Sequence, residues 1–326
     1  MSDRIKENSA KPGLPPPSLD LSIILVNYKS LDYTRACLRS IGAHPAEGSS
    51  EIIIVDNASG GGEADALRRN FPKILLLENQ TNLGFAKAVN RGILSSRGKY
   101  ILLINNDAEI LPGTLNTLMQ AMRQYPDVGI LGCRLLNTDQ TPQESFGHGF
   151  GFGNDLMRKV ILNRLMANYS RQLARSVVDK IYSRAREVGW VCGAAMFSRR
   201  EALAEAGLMD ENFFLYMEDV DLCLAVRKKG WKVRYTPEAS ILHHRGVSVA
   251  KRKRAAEIDY RRSQLYFYEK HYGRTGLATL KLFLYGKLMK NFLQSFFIRK
   301  ITGKKSDVSE KLDQWNREIF TLVRDY

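Results

Sequence analysis

Between residues 21 and 104, four short apolar runs alternate with helix-patterned segments, and this alternation restricts the fold more than any other feature of the chain. Leu21–Val26, Glu51–Val55, Lys73–Leu77 and Tyr100–Ile104 have the length and near-continuous hydrophobicity of strands buried on both faces. Helical patterns separate them at Asp32–Ile41, Glu63–Arg69 and Gly84–Ser95. Strands joined by helical crossovers pair in parallel, so the expected class is α/β, with a doubly wound, mostly parallel, Rossmann-like sheet. Such sheets bind ligands beyond the carboxyl ends of their strands. Three polar clusters fall at that edge: Asn27-Tyr28, Asp56-Asn57 and Asn105-Asn106-Asp107.

The flanking regions have a different character. Residues 1–19 are polar and carry Pro12, Pro15, Pro16 and Pro17, which reads as a disordered leader. Gly147–Gly153 is glycine-rich, and residues 154–187 read as a basic helical insertion. Regular signals return at Gly189–Ser198, Met217–Gly230 and Lys232–Tyr235, followed by a strand-like Tyr235–Leu242 interrupted by Pro237.

Lys plus Arg number 49 against 34 acids, a net charge of +15 that suggests a polyanionic partner: nucleic acid, an anionic membrane or a phosphorylated substrate. The excess is local. Residues 1–244 hold 30 bases and 26 acids, whereas residues 245–305 hold 16 and 3. The charge therefore avoids the α/β region, and no nucleic-acid motif is present, which argues against nucleic acid. Within the basic stretch, Leu277–Ile298 sets Leu282, Tyr285, Met289, Phe292 and Phe296 against Lys281, Lys287, Lys290 and Gln294. This pattern fits either a helix lying on a membrane surface or one packed on the preceding domain. Its lysines exclude it as a span, which needs about 18 or more uncharged apolar residues. Cys37, Cys133, Cys192 and Cys223 form no CxxC pair, so neither a zinc site nor a disulfide framework is expected, and a reducing compartment fits.

Four segments carry candidate chemistry. Asp107, closing a strand, offers a carboxylate to a hard divalent cation, or Asn105-Asn106-Asp107 is an Asx turn. Met217-Glu218-Asp219-Val220-Asp221 places three acids at a helix start, where the macrodipole favours each by about 0.3–1 kcal/mol. The same position suits a general base whose neighbour tunes it. His243-His244 at a strand end reads as a metal ligand or as surface. Gly84-Phe85-Ala86-Lys87 reads as a helix start presenting N–H groups to phosphate, or as a plain helix start.

Together these segments resemble glycosyltransferase family 2. Ser22–Tyr28, Ile54–Ser59 and Asn82–Asn90 look like its donor half, and Leu103–Asp107 like its DXD-type metal motif. Gly193–Met196, Gly207–Phe214, Tyr216–Leu222 and His243–Ser248 look like its acceptor half, nearest to the bacterial rhamnosyltransferase-like branch. The resemblance implies a GT-A fold over residues 20–250, split into a donor half (20–110) and an acceptor half (111–250), with a basic helical extension over 251–326. It implies inverting transfer from a dTDP- or UDP-sugar, such as dTDP-rhamnose, with Mg²⁺ or Mn²⁺. The acceptor implied is a polyprenyl-diphosphate-linked glycan of the cell envelope, met on the cytoplasmic face of a bacterial plasma membrane.

By position, Asp219 would be the catalytic base, and Asp107 and His243, in preference to His244, the metal ligands. Asn27, Tyr28, Asp56, Asn57, Asn82, Gly84, Phe85, Asn90, Asn105 and Asn106 would bind the donor, with Asp56 on the nucleotide base. Trp190, Gly193 and Glu218 would border the acceptor. Asn105 stands where many relatives have Asp, leaving more of the coordination to Asp107. The alternatives are the same chemistry on a soluble or protein acceptor, and a non-catalytic binder of sugar nucleotides.

Overall fold

The computed structural model describes residues 14, 16–149, 161–244, 253–302 and 307–326. Most of the leader, Gly151–Gly153, the first part of the insertion and Arg245–Ser248 lie outside these residues. The chain runs β1 (Leu19–Asn27), α1 (Leu31–Ala43), β2 (Ser50–Asp56), α2 (Glu63–Asn70), β3 (Leu75–Glu78), α3 (Phe85–Ser95) and β4 (Gly98–Ile104). Next come β5 (Ala108–Ile110), α4 (Thr114–Gln124), β6 (Val128–Leu136) and β7 (Phe146–Gly147), then the insertion helices α5 (Asn163–Ala167) and α6 (Gln172–Tyr182). Then follow β8 (Arg186–Glu187), β9 (Trp190–Val191), β10 (Ala195–Arg199), α7 (Arg200–Ala206), α8 (Glu218–Lys228) and β11 (Lys232–His243). Two helices follow, α9 (Lys253–Thr302) and α10 (Asp307–Asp325).

The main sheet has the order β3-β2-β1-β4-β10-β6-β11-β5, with β8 on β11. Its first four strands are parallel, as the βα alternation requires. Beyond them the sheet is mixed, with β10 antiparallel to both β4 and β6. Along β1, Ile24 faces one core layer, and Leu21, Ile23 and Leu25 face the other. Helices cover both faces, so the strands read as continuous apolar runs rather than as alternating ones. The register pairs Asn27 with Asp56 and Asp56 with Glu78, which brings the polar strand ends level. Pro237 does not divide the last strand. β11 is continuous, and its pairing with β6 slips between Thr236 and Ser240, a bulge that absorbs the missing N–H.

α9 is fastened to this body by a buried ionic cluster. Lys270 Nζ lies 2.7 Å from Asp210 Oδ2 and 2.8 Å from Asp221 Oδ1, and His271 Nε2 lies 2.7 Å from Asp221 Oδ1. The Tyr266 hydroxyl donates to Asp210 Oδ2 at 2.8 Å. Burial pushes the Asp210 carboxyl up, but the Lys270 hydrogen bond and its other donors outweigh this and hold it below the usual range. α9 then kinks at Gly273 (φ 62°).

Past the kink, the amphipathic stretch has one buried apolar face and one exposed apolar face. Leu280, Leu284 and Leu288 are buried in one cluster with Ile319 and Val323 of α10. Opposite them, at 100° per residue, Leu282 (74% exposed), Met289 and Leu293 form an outward strip with Phe292 beside it. Tyr285, expected on the outward side, instead packs against Phe320 with ring centroids 5.6 Å apart. Lys287 sits over the Trp315 ring. Phe296 lies where only backbone is described. Among the described residues, no helix is long and apolar enough to cross a membrane.

Removing Lys270 leaves two carboxylates facing each other in a largely buried site. Lys270→Met is expected to destabilise the protein by about 2–3 kcal/mol, less than a fully buried pair because the lysine is one-third exposed. Thermal denaturation at pH 7 measures this, and an unchanged Tm would show that the cluster does not hold α9.

Candidate active site

A cavity of about 510 Å³ opens at the carboxyl edge of the parallel strands. It is lined by Val26 and Tyr28 at the end of β1, Asn57 after β2, and Asn105, Asn106 and Asp107 after β4. Asn82, Gly84 and Phe85 bound it at the start of α3, and Trp190, Gly193, Phe214–Val220 and His243 also line it.

On the donor side, asparagine amides lock the loop over 79–84. Asn57 Nδ2 donates to Asn82 Oδ1 (2.9 Å) and to the Gly84 carbonyl (3.1 Å), while its Oδ1 accepts from Asn79 Nδ2 and the Leu83 N–H. The Phe85 N–H donates to the Phe214 carbonyl at 2.7 Å, so the first amide of α3 is already taken by protein. Asn106 lines the cavity, yet its amide donates to the hydroxyls of Ser30 and Thr34.

Three residues expected at the donor do not reach the cavity. Asn27 is fully buried and donates to Asp56 Oδ1 (2.8 Å) and Ser59 Oγ (3.0 Å). Asp56 is held by Asn27 and by the Ser59 N–H. Asn90 binds the backbone of Met209 through both ends of its amide and ties α3 to the loop before α8. All three brace the wall from behind.

The acidic cluster occupies the first turn of α8, entered through Tyr216 and Met217 in the left-handed region (φ 70° and 71°). Two successive non-glycine residues there cost on the order of 1–3 kcal/mol each, which surrounding packing must over-determine. Asp219 Oδ2 accepts the Gly193 N–H at 2.8 Å, and its Oδ1 accepts the Val220 N–H at 2.8 Å. A Cβ at Gly193 would lie 3.1 Å from that of Asp219, so glycine allows the approach. Glu218 is buried, and its Oε2 has no hydrogen-bond partner among the described residues. Burial first, then the charges of Asp219 and Asp221, push its carboxyl up to about 8 and favour its protonated form.

In the same cavity, His243 Nε2 lies 3.3 Å from Asp107 Oδ1 and 3.4 Å from Asn105 Nδ2. Gln143 fixes the ring. Its Nε2 donates to the carbonyls of His243 (2.6 Å) and Leu136 and to Asn137 Oδ1, which leaves its Oε1 to accept from His243 Nδ1 at 2.9 Å. In the neutral ring this assignment puts the Nε2 lone pair toward Asp107. A nitrogen lone pair facing a carboxylate oxygen is a donor set for a divalent cation, with the second ring nitrogen oriented as in metal sites. His244 turns the other way, onto Glu109 Oε1 at 2.6 Å. Among the described residues no group of three or more His, Cys, Asp or Glu could hold a metal, so a cation here would take its remaining ligands from substrate or water.

The glycosyl transferase family 2 model matches residues 22–205. The chain belongs to that family. It is a glycosyltransferase by this membership, and it is 28% identical over 242 residues to N-acetylglucosaminyl-diphospho-decaprenol L-rhamnosyltransferase of Mycobacterium tuberculosis, covering 71% of this chain and 78% of the relative. Among solved structures it is similar to a mannosyltransferase from Pyrobaculum calidifontis in complex with GDP-Man and Mn²⁺ (16% identity, TM-score 0.54, covering 96% and 88% of the two chains). It is also similar to GalNAc-T7 with UDP, GalNAc and Mn²⁺ (12% identity, TM-score 0.50, covering 69% and 44%). Both likenesses establish the fold as GT-A-like.

The cavity of this glycosyltransferase includes residues that sequence reasoning did not single out. Glu144 lines it, Gln143 stands behind His243, and Ala256, Asp259 and Tyr260 of α9 complete one wall. Gln143 left no trace, since a lone polar residue in a loop has no pattern. Asp259 did leave one, as one of only 3 acids in the basic stretch over 245–305.

Glu218 gives the site a measurable pH signature. Between the unfolded carboxyl's 4.5 and about 8, the folded protein keeps a proton that the unfolded chain has lost. The stability tied to Glu218 is therefore complete below pH 4.5 and falls as pH rises toward 8. Glu218→Gln has no proton to lose, so its Tm relative to wild type is expected to climb between pH 5 and pH 8. A pH-independent difference would contradict the assignment.

Proposed function

We propose that the protein transfers a sugar from a nucleoside diphosphate to a hydroxyl of a lipid-diphosphate-linked glycan by single displacement with inversion. The observation that carries this reading is that one cavity is lined both by Asp219, held by backbone N–H groups, and by the Asp107–His243 pair. In the reaction Asp219 takes the proton of the acceptor hydroxyl as that oxygen bonds to the sugar's anomeric carbon, and the nucleoside diphosphate departs with the electrons of the broken bond. An inverting transfer needs this one base, whereas a double displacement needs a second carboxylate about 5 Å away acting as nucleophile. Glu218, neutral beside the base, donates a hydrogen bond to the acceptor rather than competing for its proton.

Asp107 and His243 are the residues that would hold Mg²⁺ or Mn²⁺. When bound, the ion neutralises charge developing on the leaving diphosphate. Tyr28, Asn57, Asn82, Gly84 and Phe85 border the donor, with Asn105 and Asn106 beneath it, and Trp190 and Gly193 border the acceptor. The M. tuberculosis relative supports L-rhamnose as the sugar transferred and an N-acetylglucosaminyl-diphosphate lipid as acceptor, and dTDP-rhamnose is the donor tested for it. The outward strip of Leu282, Met289, Phe292 and Leu293, with Lys281 and Lys290 to either side, fits the anionic inner face of a bacterial plasma membrane, where such an acceptor resides.

Asp219→Asn keeps the hydrogen bond from Gly193 but cannot accept a proton. Its transfer rate is expected to fall by about 10²–10⁴-fold, with dTDP-rhamnose still raising the Tm in the presence of Mn²⁺. Undiminished transfer would remove Asp219 from its role. Wild type is expected to sediment with vesicles containing phosphatidylglycerol but not with pure phosphatidylcholine, and L282S/M289S/F292S to remain in the supernatant. Absence of wild-type binding would favour a soluble or protein acceptor.

A further inference from the structure

We infer that Gln143 sets the tautomer of His243 and, through it, the affinity of the site for a divalent cation; this rests on the cation pair proposed above. His243 Nε2 lies 3.3 Å from Asp107 Oδ1, a separation at which the two ligands can satisfy each other. A neutral ring with its proton on Nε2 would donate it to Asp107, and a cation would have to break that hydrogen bond and displace the proton. With the proton on Nδ1, Nε2 presents a lone pair beside the carboxylate, and both groups can act as ligands. The tautomer decides whether the pair is closed on itself or ready for a cation.

The loop between β6 and β7 makes that choice, beginning at an exposed carboxylate. Asp139 accepts the Thr141 hydroxyl at 2.6 Å and the Thr141 N–H at 3.0 Å, and these two donors hold its carboxyl below the usual range. An ionised carboxylate only accepts, so the Thr141 hydroxyl gives its hydrogen there and receives one from Asn137 Nδ2 at 2.8 Å. Asn137 Oδ1 is thereby left to accept from Gln143 Nε2 at 2.7 Å. The same Nε2 donates to the carbonyls of His243 (2.6 Å) and Leu136 (3.3 Å). A flipped Gln143 amide would set its oxygen against three acceptors. Oε1 is therefore the atom that meets His243 Nδ1, at 2.9 Å, and it can only accept.

Backbone hydrogen bonds fix the carrier of this amide. The Gln143 N–H donates to the Leu135 carbonyl at 2.8 Å, and the Gln143 carbonyl accepts the Ser145 hydroxyl at 3.0 Å. Gln143 is buried and stands behind the cavity lining, so it acts through His243 and is a positioning residue. On the cavity side, the Asn105 amide nitrogen lies 3.4 Å from Nε2, a donor that this tautomer can accept and the other cannot.

The test reads tautomer and cation separately, on full-length protein at pH 8. Long-range proton–nitrogen NMR of isotope-labelled histidine, with His243 assigned through His243→Gln, is expected to place the wild-type proton on Nδ1. Gln143→Met removes the accepting oxygen. It is expected to move the proton to Nε2 and to weaken Mn²⁺ binding, followed by electron paramagnetic resonance of the free ion, by about 10–100-fold. Gln143→Glu loses the three donations but keeps an oxygen for Nδ1, so its Tm should fall while tautomer and Mn²⁺ affinity stay close to wild type. Mn²⁺ binding that is unchanged in Gln143→Met, or weakened alike in both variants, overturns the role of Gln143 and leaves the cation pair standing. So does a wild-type proton on Nε2. A wild type that binds no Mn²⁺, alone or with dTDP, overturns the cation pair itself, and with it the effect of Gln143 on affinity.

Discussion

Glu218, Asp219 and Asp221 enter the protein together in the first turn of α8, and placing three acids within four residues, two of them buried, is the constraint to which the surrounding structure answers. The helix N-terminus helps each by a few tenths of a kcal/mol to about 1 kcal/mol, too little to offset desolvation of three charges. The fold resolves the conflict differently for each. Asp221 is paired with Lys270 and His271, which come from a helix beyond residue 250. Asp219 is left partly open and held by the N–H groups of Gly193 and Val220. Glu218 has neither arrangement and keeps its proton instead. A paired charge, a carboxylate held by backbone N–H groups and a carboxyl pushed toward its neutral form thus arise from three nearly identical side chains, and position alone separates them.

Because the pairing for Asp221 is supplied by α9, the C-terminal helix is part of the catalytic body and not an appendage to it. The same docking carries Ala256, Asp259 and Tyr260 into the cavity wall. The kink at Gly273 then frees the second half of the helix to turn one apolar stripe onto α10 and another outward. One continuous element therefore links the acidic end of the cavity to the most exposed apolar strip on the C-terminal helices.

The parallel half of the sheet was legible in the sequence because its strands are covered on both faces, and each apolar run ends in a polar cluster that the register brings level. The pairing of Asn27 with Asp56 shows where that legibility stopped. Sequence places both at the correct edge, but only the structure shows them hydrogen-bonded to each other behind the wall. Pro237 misled in the opposite sense, since a bulge against β6 accommodates it within a single strand. The basic stretch from residue 245 could not be read because it holds two helical faces at once. Leu280, Leu284 and Leu288 repeat every four residues and pack inward, while Leu282, Met289 and Leu293 repeat on the reverse side. A pattern that is apolar on two faces has no single direction in sequence.

Two glycines set how closely the halves of the site approach. A Cβ at Gly84, which sits at φ 84°, would lie 2.7 Å from the Phe214 carbonyl oxygen, the atom that caps α3 through the Phe85 N–H. A Cβ at Gly193 would press on Asp219 from the other side. The loop over 214–219 is therefore held between the donor wall and the β9–β10 connection, with its left-handed residues Tyr216 and Met217 in the middle. Strain of that kind persists only where both ends are fixed. The two close contacts, with the Asn90 brace to Met209 and the Ser263 tie to Leu215, supply that fixation. The position of Asp219 thus follows from backbone packing, and a carboxylate mounted in this way does not depend on bound substrate to find its place.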